Sequence, residues 1–352
     1  MNLKKYLCIA AALTALAMPA GAAERLTTGQ GLPENAVDIT ADAQLSQNGP
    51  TLIFSDSPEM VYHKGVLYRD TVEGDVRIFF HHVNAMQGNK KLAILLKNNG
   101  LRPAEYTVTR RGVGDSSWHY LKDGKDSQKK YFSGGQTAEK GRLGFSRTAE
   151  LLTGRGFLLA PEKLLTGTID LHLDRPLEIS VLMCEPMNDL ELFNNDALVQ
   201  PMDEHPLRGT FKNADWQYRL RPLNIGDGDT YMLELASTGQ GFIRGVDATT
   251  GKAATDHGNY GVMYAVDFEL NGERSVRFSM NPLGGLFAGY GVLEHDGRQQ
   301  LLALPESKIA FGDSYDDMLE LGVLEAGKYR FIWSPPGASN LPVRLYWQGA
   351  KK

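Results

Sequence analysis

The chain has 352 residues, a formal net charge of −5 and two cysteines. Its length is enough for two domains of ordinary size, each with its own core. Because the charge is mildly acidic and no run of Lys or Arg occurs, the sequence predicts neither a nucleic-acid partner nor attraction to an anionic membrane.

The segment Met1–Ala23 has the residue order of a bacterial secretory signal. Lys4 and Lys5 precede an apolar run, and Pro19 is followed by small residues up to Ala23. This order is typical of a cleaved signal peptide, and the apolar run is shorter than the roughly 20 residues that span a bilayer. We therefore expect a signal peptide over 1–23 and no membrane span in the mature chain. The mature chain would be in the periplasm, at the cell surface or outside the cell.

Cleavage would remove Cys8 and leave Cys184 as the single thiol, so no intramolecular disulfide is expected. Stability must then come from apolar burial, which a chain of this length can supply. Cys184 ends the apolar run EISVLMC, without a basic neighbour in sequence that would activate it. We expect a buried, inert thiol there.

The first half of the mature chain has strand patterns. Residues 24–50 are polar and weakly periodic, and they predict a leader segment that is partly disordered. From 51 to 187, short apolar or alternating runs end at Gly, Asn, Pro or Asp, as strands do. The segment 143–152 fits a short helix and a loop equally well.

The second half repeats this pattern after an acidic stretch. Residues 188–204 predict a linker, and a new series of strands begins at His205. Asn271-Gly272 predicts a two-residue hairpin, because both positions favour positive φ, and Asp296-Gly297 predicts another turn. Two final strands place large apolar residues on buried-type faces: Tyr329, Phe331 and Trp333, then Val343, Leu345 and Trp347.

These patterns predict an all-β fold. Each sheet must cover its apolar face with another sheet, and no repeat of 40 to 50 residues indicates a propeller. We expect two consecutive antiparallel β-sandwich domains, of jelly-roll or immunoglobulin-like type, over 51–187 and 205–352.

The stretch Ser55–Asn84 has the densest set of chemically reactive side chains. Asp56 and Asp70 could provide paired carboxylates for hydrolysis, with Arg77 close in sequence. The same residues also fit a structural turn around Pro58, held by an ion pair to an arginine. The second interpretation is the simpler one.

Two histidines, His81 and His82, are adjacent in this stretch. Neighbouring side chains of a strand point to opposite faces, so the pair cannot bind one metal alone. A metal site would need further ligands from His257, His119 or His172. The alternative is one buried, hydrogen-bonded histidine and one at the surface.

The remaining motifs do not predict a phosphate-binding, calcium-binding or catalytic site. The glycine-rich segment 284–291 lacks the helix and lysine of a phosphate loop, and the acidic loops 247–251 and 313–317 lack the full spacing of a calcium loop. No nucleophile elbow, zinc-protease motif or Cys-x-x-Cys occurs. No cofactor is predicted.

Two Trp-x-Tyr pairs are candidate ligand contacts. Trp118 with Tyr120, and Trp216 with Tyr218, could stack on sugar rings. The alternating spacing also fits a core face of a strand, and we favour the core for both pairs.

Four segments together resemble a bacterial family: SDSPE, GVLYRDTVEGDVRIFFHHVN, LRGTF, and VDATTG followed by HGNYGVMY. They are similar to uncharacterised exported proteins of Firmicutes-type bacteria that are often labelled copper amine oxidase-like. The oxidase motifs themselves are absent, because Asn259-Tyr260 is followed by Gly261 and no His-x-His copper pair occurs. The resemblance implies export and transfers no catalytic residue.

The sequence thus favours an exported, non-enzymatic protein of the cell envelope. Such a protein would bind a cell-wall glycan or an envelope protein, or act as a structural module. Asp56, Asp70, Arg77, Trp118 and Trp216 are its candidate binding residues. The alternative is a metal-dependent or hydrolytic enzyme with a site near Asp56, Asp70 and His81/His82.

Overall fold

The structure is a computed structural model that describes residues 35–134, 139–154 and 157–349. The predicted signal peptide and the first part of the predicted leader lie outside these residues. No helix in the described ranges is long and apolar enough to cross a bilayer.

Strands dominate the described residues, and two helices interrupt them there. Up to Asp215 the elements are β1 (Ala36–Asp38), β2 (Gln44–Asn48), β3 (Thr51–Ser55), β4 (Met60–Val61), β5 (Gly65–Asn84), β6 (Lys90–Lys97), β7 (Ala104–Val113), α1 (Tyr120–Ser133), β8 (Glu139–Leu143), β9 (Thr148–Glu150), β10 (Leu158–Leu159), β11 (Leu164–Cys184), α2 (Leu190–Asp196), β12 (Arg208–Phe211) and the start of β13 (Asp215–Arg219). They continue as β14 (Leu223–Asn224), β15 (Thr230–Leu235), β16 (Arg244–Asp247), β17 (Lys252–Thr255), β18 (Met263–Asn271), β19 (Val276–Pro282), β20 (Gly285–His295), β21 (Arg298–Ala310), a short 3-10 turn (Tyr315–Asp317), β22 (Leu319–Leu324), β23 (Gly327–Trp333) and β24 (Val343–Gly349).

The chain forms two compact units. Unit A consists of Asn48–Asp215 and Ile243–Val262. Unit B consists of the described chain before Asn48, Trp216–Phe242, and the chain from Met263 onward. The division therefore differs from two consecutive segments: residues 205–215 and 243–262 fold with the first unit.

Unit A is built around two long antiparallel strands, β5 and β11, of 20 and 21 residues. The first half of β11 pairs with β7 and its second half with β6, and the register shifts between Leu173 and Leu177. Beyond β5 the sheet continues through β3, β12, β16 and β17. Side chains from both halves of β5 and β11 contact one another in a single core that includes Leu67, Ile78 and Val181.

The two helices belong to unit A. Helix α1 packs on β7 at Gly112, where an added Cβ would lie 2.4 Å from the backbone of α1. The buried face of this helix is mostly polar, so no helical period of apolar residues predicts it from the sequence. Helix α2 begins after Asp189, whose side chain accepts a hydrogen bond from Leu192 N. This helix lies inside the predicted acidic linker, and its Leu190 and Phe193 pack on a second small core.

Unit B is a sandwich of a five-stranded and a seven-stranded sheet. Phe268 of one sheet contacts Phe278 and Trp347 of the other, with ring centroids 5.4 Å and 5.2 Å away. Phe278 also packs edge-on against Phe331. The six apolar residues predicted on β23 and β24 are all buried. β1 and β2 lie in the segment predicted to be a partly disordered leader, and β1 pairs with β15.

The all-β prediction is confirmed, with three differences in detail. Pairing is not antiparallel throughout, because β3 and β4 are parallel to β5, β1 to β15 and β14 to β18. The Asn271-Gly272 hairpin is wrong: β18 and β19, which flank it, lie in different sheets. The segment 143–152 contains β9 rather than a helix.

The Asp296-Gly297 turn is confirmed. It joins β20 to β21, and His295 pairs with Arg298 across it. Both turn residues have positive φ, 48° and 70°, as a two-residue hairpin with the sheet's twist requires.

Candidate functional site

Trp118 is an exposed aromatic residue between β7 and α1. It is 59% exposed. Its indole N–H donates a hydrogen bond to Pro161 O at 3.2 Å, and the Lys163 ammonium lies 4.5 Å from the ring centroid. These two contacts fix the orientation of the ring, so Trp118 presents a positioned aromatic face.

Hydrogen bonds to Asp123 hold the segment that carries Trp118 in place. This buried carboxylate accepts hydrogen bonds from Ser117 N at 3.1 Å and from Ser117 Oγ. Burial raises the pKa of Asp123 to about 6, although the Ser117 hydrogen bonds act to lower it. Ser117 also forms an isolated bridge with Leu164, which ties the segment to the start of β11.

An open cleft of about 460 Å³ lies beside Trp118 and shares Lys163 with it. Its lining residues are Val113, Gly114, Asp115, Ser116, Lys130, Phe157, Leu158 and Lys163. Lys130 pairs with Asp115 at 2.7 Å, and this hydrogen bond lowers the pKa of Asp115. The Ser116 hydroxyl is buried and has no hydrogen-bond partner among the described residues. The cleft therefore combines apolar walls with a carboxylate and two ammonium groups.

A second feature is the cluster of carboxyl groups around the turn after β3. Asp203 accepts hydrogen bonds from Ser57 Oγ and from Glu59 N, each at 2.8 Å. Burial raises the pKa of Asp56 well above its usual value, and Glu59, Asp203 and Asp256 raise it further. Asp56 Oδ1 and Asp256 Oδ2 are buried without a hydrogen-bond partner in the described structure.

The cluster does not assemble a metal site or an acid–base pair. Across residues 35–134, 139–154 and 157–349, no group of three or more His, Cys, Asp or Glu side chains is arranged to hold a metal. Asp256 is fully buried, so its carboxyl group is out of reach of a substrate. Burial raises the pKa of Asp256 as well, and such groups take up protons instead of pairing with cations.

The histidine pair is part of the core structure. His82 Nε2 lies 2.8 Å from Ser55 Oγ and its Nδ1 lies 2.9 Å from Pro58 O, so neither nitrogen is available to a metal. This is the hydrogen-bond pattern of a nucleophile and its base. The side chains of Ser55 and His82 are fully buried, however, and cannot contact a substrate. Burial lowers the pKa of His82 to about 4 and that of His81 to about 3.

The other predicted metal ligands are exposed at the surface. His257 is exposed in the loop after β17, and His119 is exposed just before α1. His172 pairs with Asp75 at 2.7 Å on the surface. Within the described residues, His81, His82 and His257 do not form a group that could hold a metal.

Most of the predicted binding residues have structural contacts instead. Arg77 is buried and forms ion pairs with Asp170 and Asp215. Asp70 accepts hydrogen bonds from Thr71 N and Thr210 Oγ1. Trp216 is buried in unit B, with its ring 5.7 Å from that of Tyr264.

Among the predicted binding residues, Trp118 alone is exposed beside a cleft. Asp115, Ser116, Lys130 and Lys163 were not recognised from the sequence. They are common surface residues with no motif spacing, and folding alone brings them together.

Comparisons with known proteins do not assign the chain to a family. No family model matches the chain, and no curated protein matches it. Among solved structures, the chain is similar to the CUB1-EGF-CUB2 domains of rat MASP-1, at 5% identity over 89% of this chain and 99% of that one, with a TM-score of 0.21. It is also similar to the corresponding human MASP-1/3 fragment, at 7% identity over 80% and 99%, with a TM-score of 0.23. Allantoicase aligns at 13% identity over 74% of each chain, with a TM-score of 0.14. With TM-scores this low, the fold assignment rests on the strands and their pairing.

Proposed function

We propose that this chain is an exported, non-enzymatic binding protein of the cell envelope that recognises a glycan through unit A. The observation that carries the proposal is Trp118, an exposed and oriented aromatic ring beside a polar cleft. Export is inferred from the residue order of Met1–Ala23 and from the resemblance to exported Firmicutes-type proteins.

The chemistry of the cleft fits a sugar. One face of a pyranose ring is lined by C–H groups and packs on an aromatic ring, while the hydroxyls around it need hydrogen-bond partners. Asp115 provides acceptors, and Lys130 and Lys163 provide donors. Displacing the Lys130–Asp115 pair towards ligand hydroxyls needs little energy, because exposed ion pairs contribute only about 0–1 kcal/mol.

The alternative, a metal-dependent or hydrolytic enzyme, would need an accessible centre near Asp56, Asp70 and His81/His82. The geometry does not support an enzyme of this kind. Ser55, His82 and Asp256 are fully buried, and Asp70 accepts a hydrogen bond from Thr210.

The test is retention of the mature chain on isolated cell-wall glycans and polysaccharides. We expect Trp118→Ala to weaken retention by about two- to tenfold, because one aromatic stacking contact contributes about 0.5–1.5 kcal/mol. Phe311→Ala, which removes an exposed aromatic ring from unit B, is the matched control and should bind like the wild type. No retention of the wild type on any glycan, or equal retention of Trp118→Ala, would overturn the proposal.

A further inference from the structure

Two loops of unit A lie at the same edge of its sheet. The β6–β7 loop covers residues 98–103 and the β8–β9 loop covers residues 144–147. Lys97 at the end of β6 pairs with Thr148 at the start of β9, and Ala104 at the start of β7 pairs with Leu143 at the end of β8. All four strand ends therefore meet, and the two loops leave the sheet side by side.

Asn98 holds these loops together. Its buried side chain donates hydrogen bonds to Arg102 O and to Leu143 O, both at 2.8 Å, and accepts one from Gly100 N at 2.9 Å. Its backbone bonds to Ser146 N and Arg147 O complete the link. The loops are thus fixed relative to each other before any partner binds.

Each loop exposes one large apolar side chain. Leu101 is 87% exposed and Phe145 is 59% exposed. Arg102 and Arg147 are exposed next to them, and neither has an ion-pair partner in the described part of the chain. The loops contain no Asp or Glu.

We propose that these two loops dock on the surface of a phospholipid bilayer. Leu101 and Phe145 enter the boundary between headgroups and acyl chains, where apolar side chains gain free energy by leaving water. Arg102 and Arg147 bind the phosphates of anionic lipids. Two neighbouring acids lie outside the loop tips: Glu105 is opposite Arg142 on the adjacent strand, and Asp174 pairs with Arg175.

From the sequence alone, an anionic membrane is not expected to attract the chain, and docking of these loops would differ from that expectation. That expectation rested on the absence of a Lys/Arg run. The arginines of this surface are far apart in sequence, and the strand pairing brings their loops together.

The experiment is co-sedimentation of the full mature chain with vesicles. We expect binding to vesicles of mixed phosphatidylglycerol and phosphatidylcholine, weaker binding to pure phosphatidylcholine, and loss of the difference at high salt. Leu101→Ser and Phe145→Ser should each weaken binding about tenfold, and Arg102→Gln and Arg147→Gln about fivefold each.

The control is Tyr62→Ser, which removes an exposed aromatic ring at the other end of the strands of unit A. It should bind vesicles like the wild type. The four test side chains are exposed, so unchanged circular dichroism and melting temperature would show that the variants fold. Absence of wild-type binding to anionic vesicles, or equal binding by a folded Leu101→Ser/Phe145→Ser variant, would overturn the proposal. Saturable binding to a protein with no vesicle binding would have the same meaning.

Discussion

A buried ion pair joins three parts of unit A. Arg208 is almost fully buried, and its guanidinium lies 3.2 Å from the equally buried Asp247. It also donates to Leu67 O and Gln200 O, so one side chain joins β5, β12 and the segment after α2. A buried ion of this kind contributes little net stability while intact, but losing one partner leaves an uncompensated charge.

Arg208→Met should therefore lower the free energy of unfolding by about 3–5 kcal/mol. Urea denaturation of the mature chain measures it. Arg277→Ala, at an exposed pair with Glu320, is the control and should change stability by less than about 1 kcal/mol. If Arg208→Met were as mild as this control, the buried pair would have no structural role.

The carboxyl cluster gives stability a defined pH dependence. Burial raises the folded-state pKa of Asp56, Glu59 and Asp256, and neighbouring carboxyl groups raise that of Asp56 and Glu59 further. The folded state then binds protons more tightly than the unfolded chain. The contribution of these groups to stability is complete below their ordinary pKa and is lost as pH rises through the raised values.

We expect Asp56→Asn to flatten this dependence. His81 and His82, whose lowered pKa makes stability rise over the same pH range, are present in both proteins, so the informative quantity is the difference in stability between them. Asp56→Asn should gain stability relative to the wild type as pH rises from about 4, and it should be the more stable of the two at pH 7. Melting temperatures across this range provide the measurement, with the exposed Glu273→Gln as control. A stability difference between the two proteins that stays constant from pH 4 to pH 7 would contradict the assignment.

At the scale of elements, close approach to β7 positions helix α1 and with it the Trp118 segment. Gly112 makes this approach possible, because a Cβ there would meet Ser127 O and the backbone N of Tyr131 at 2.4 Å. Asp123 and Tyr131 of the same helix then reach Ser117 and Asp170. One glycine on a strand therefore allows the contacts that shape the cleft.

Gly112→Ala should push α1 away from the sheet and lower stability by about 1–3 kcal/mol, as overpacking does. Glycan retention should fall with it, because the Trp118 segment moves with the helix. Gly239→Ala is the control, since its Cβ would meet only Ser237 Oγ at 3.7 Å. Unchanged stability and retention in Gly112→Ala would show that the helix tolerates the shift.

At the scale of the whole molecule, the chain moves between its units several times. Residues 36–47 belong to unit B, the chain then forms most of unit A, and 243–262 return to unit A after β15. Such interleaving makes each unit depend on distant parts of the sequence.

A fragment of 205–352, which matches the segment predicted as the second domain, should therefore not fold. It lacks β1 and β2, which add to the two sheets of unit B, and it retains β12, β16 and β17 without the strands they extend. Circular dichroism and limited proteolysis, compared with the mature chain, provide the test. A protease-resistant fragment with a cooperative thermal transition would contradict this prediction.

Local sequence patterns were sufficient to predict some features of the structure. Alternating apolar residues on β23 and β24 identified buried faces, and the all-β class followed from such runs. The Asp296-Gly297 turn was predictable because two adjacent positions that favour positive φ select a hairpin. The separation of His81 from His82 also follows from strand geometry alone.

Tertiary structure decided the rest, because sequence periodicity shows which face is buried but not which strand lies beside it. Asn271-Gly272 has the same turn chemistry as Asp296-Gly297, yet it connects two sheets. Trp118 and Trp216 share one local pattern, and only packing buries Trp216 and exposes Trp118. The cleft and the loop pair at Asn98 are assembled from residues far apart in sequence, through long-range strand pairing that no local signal records.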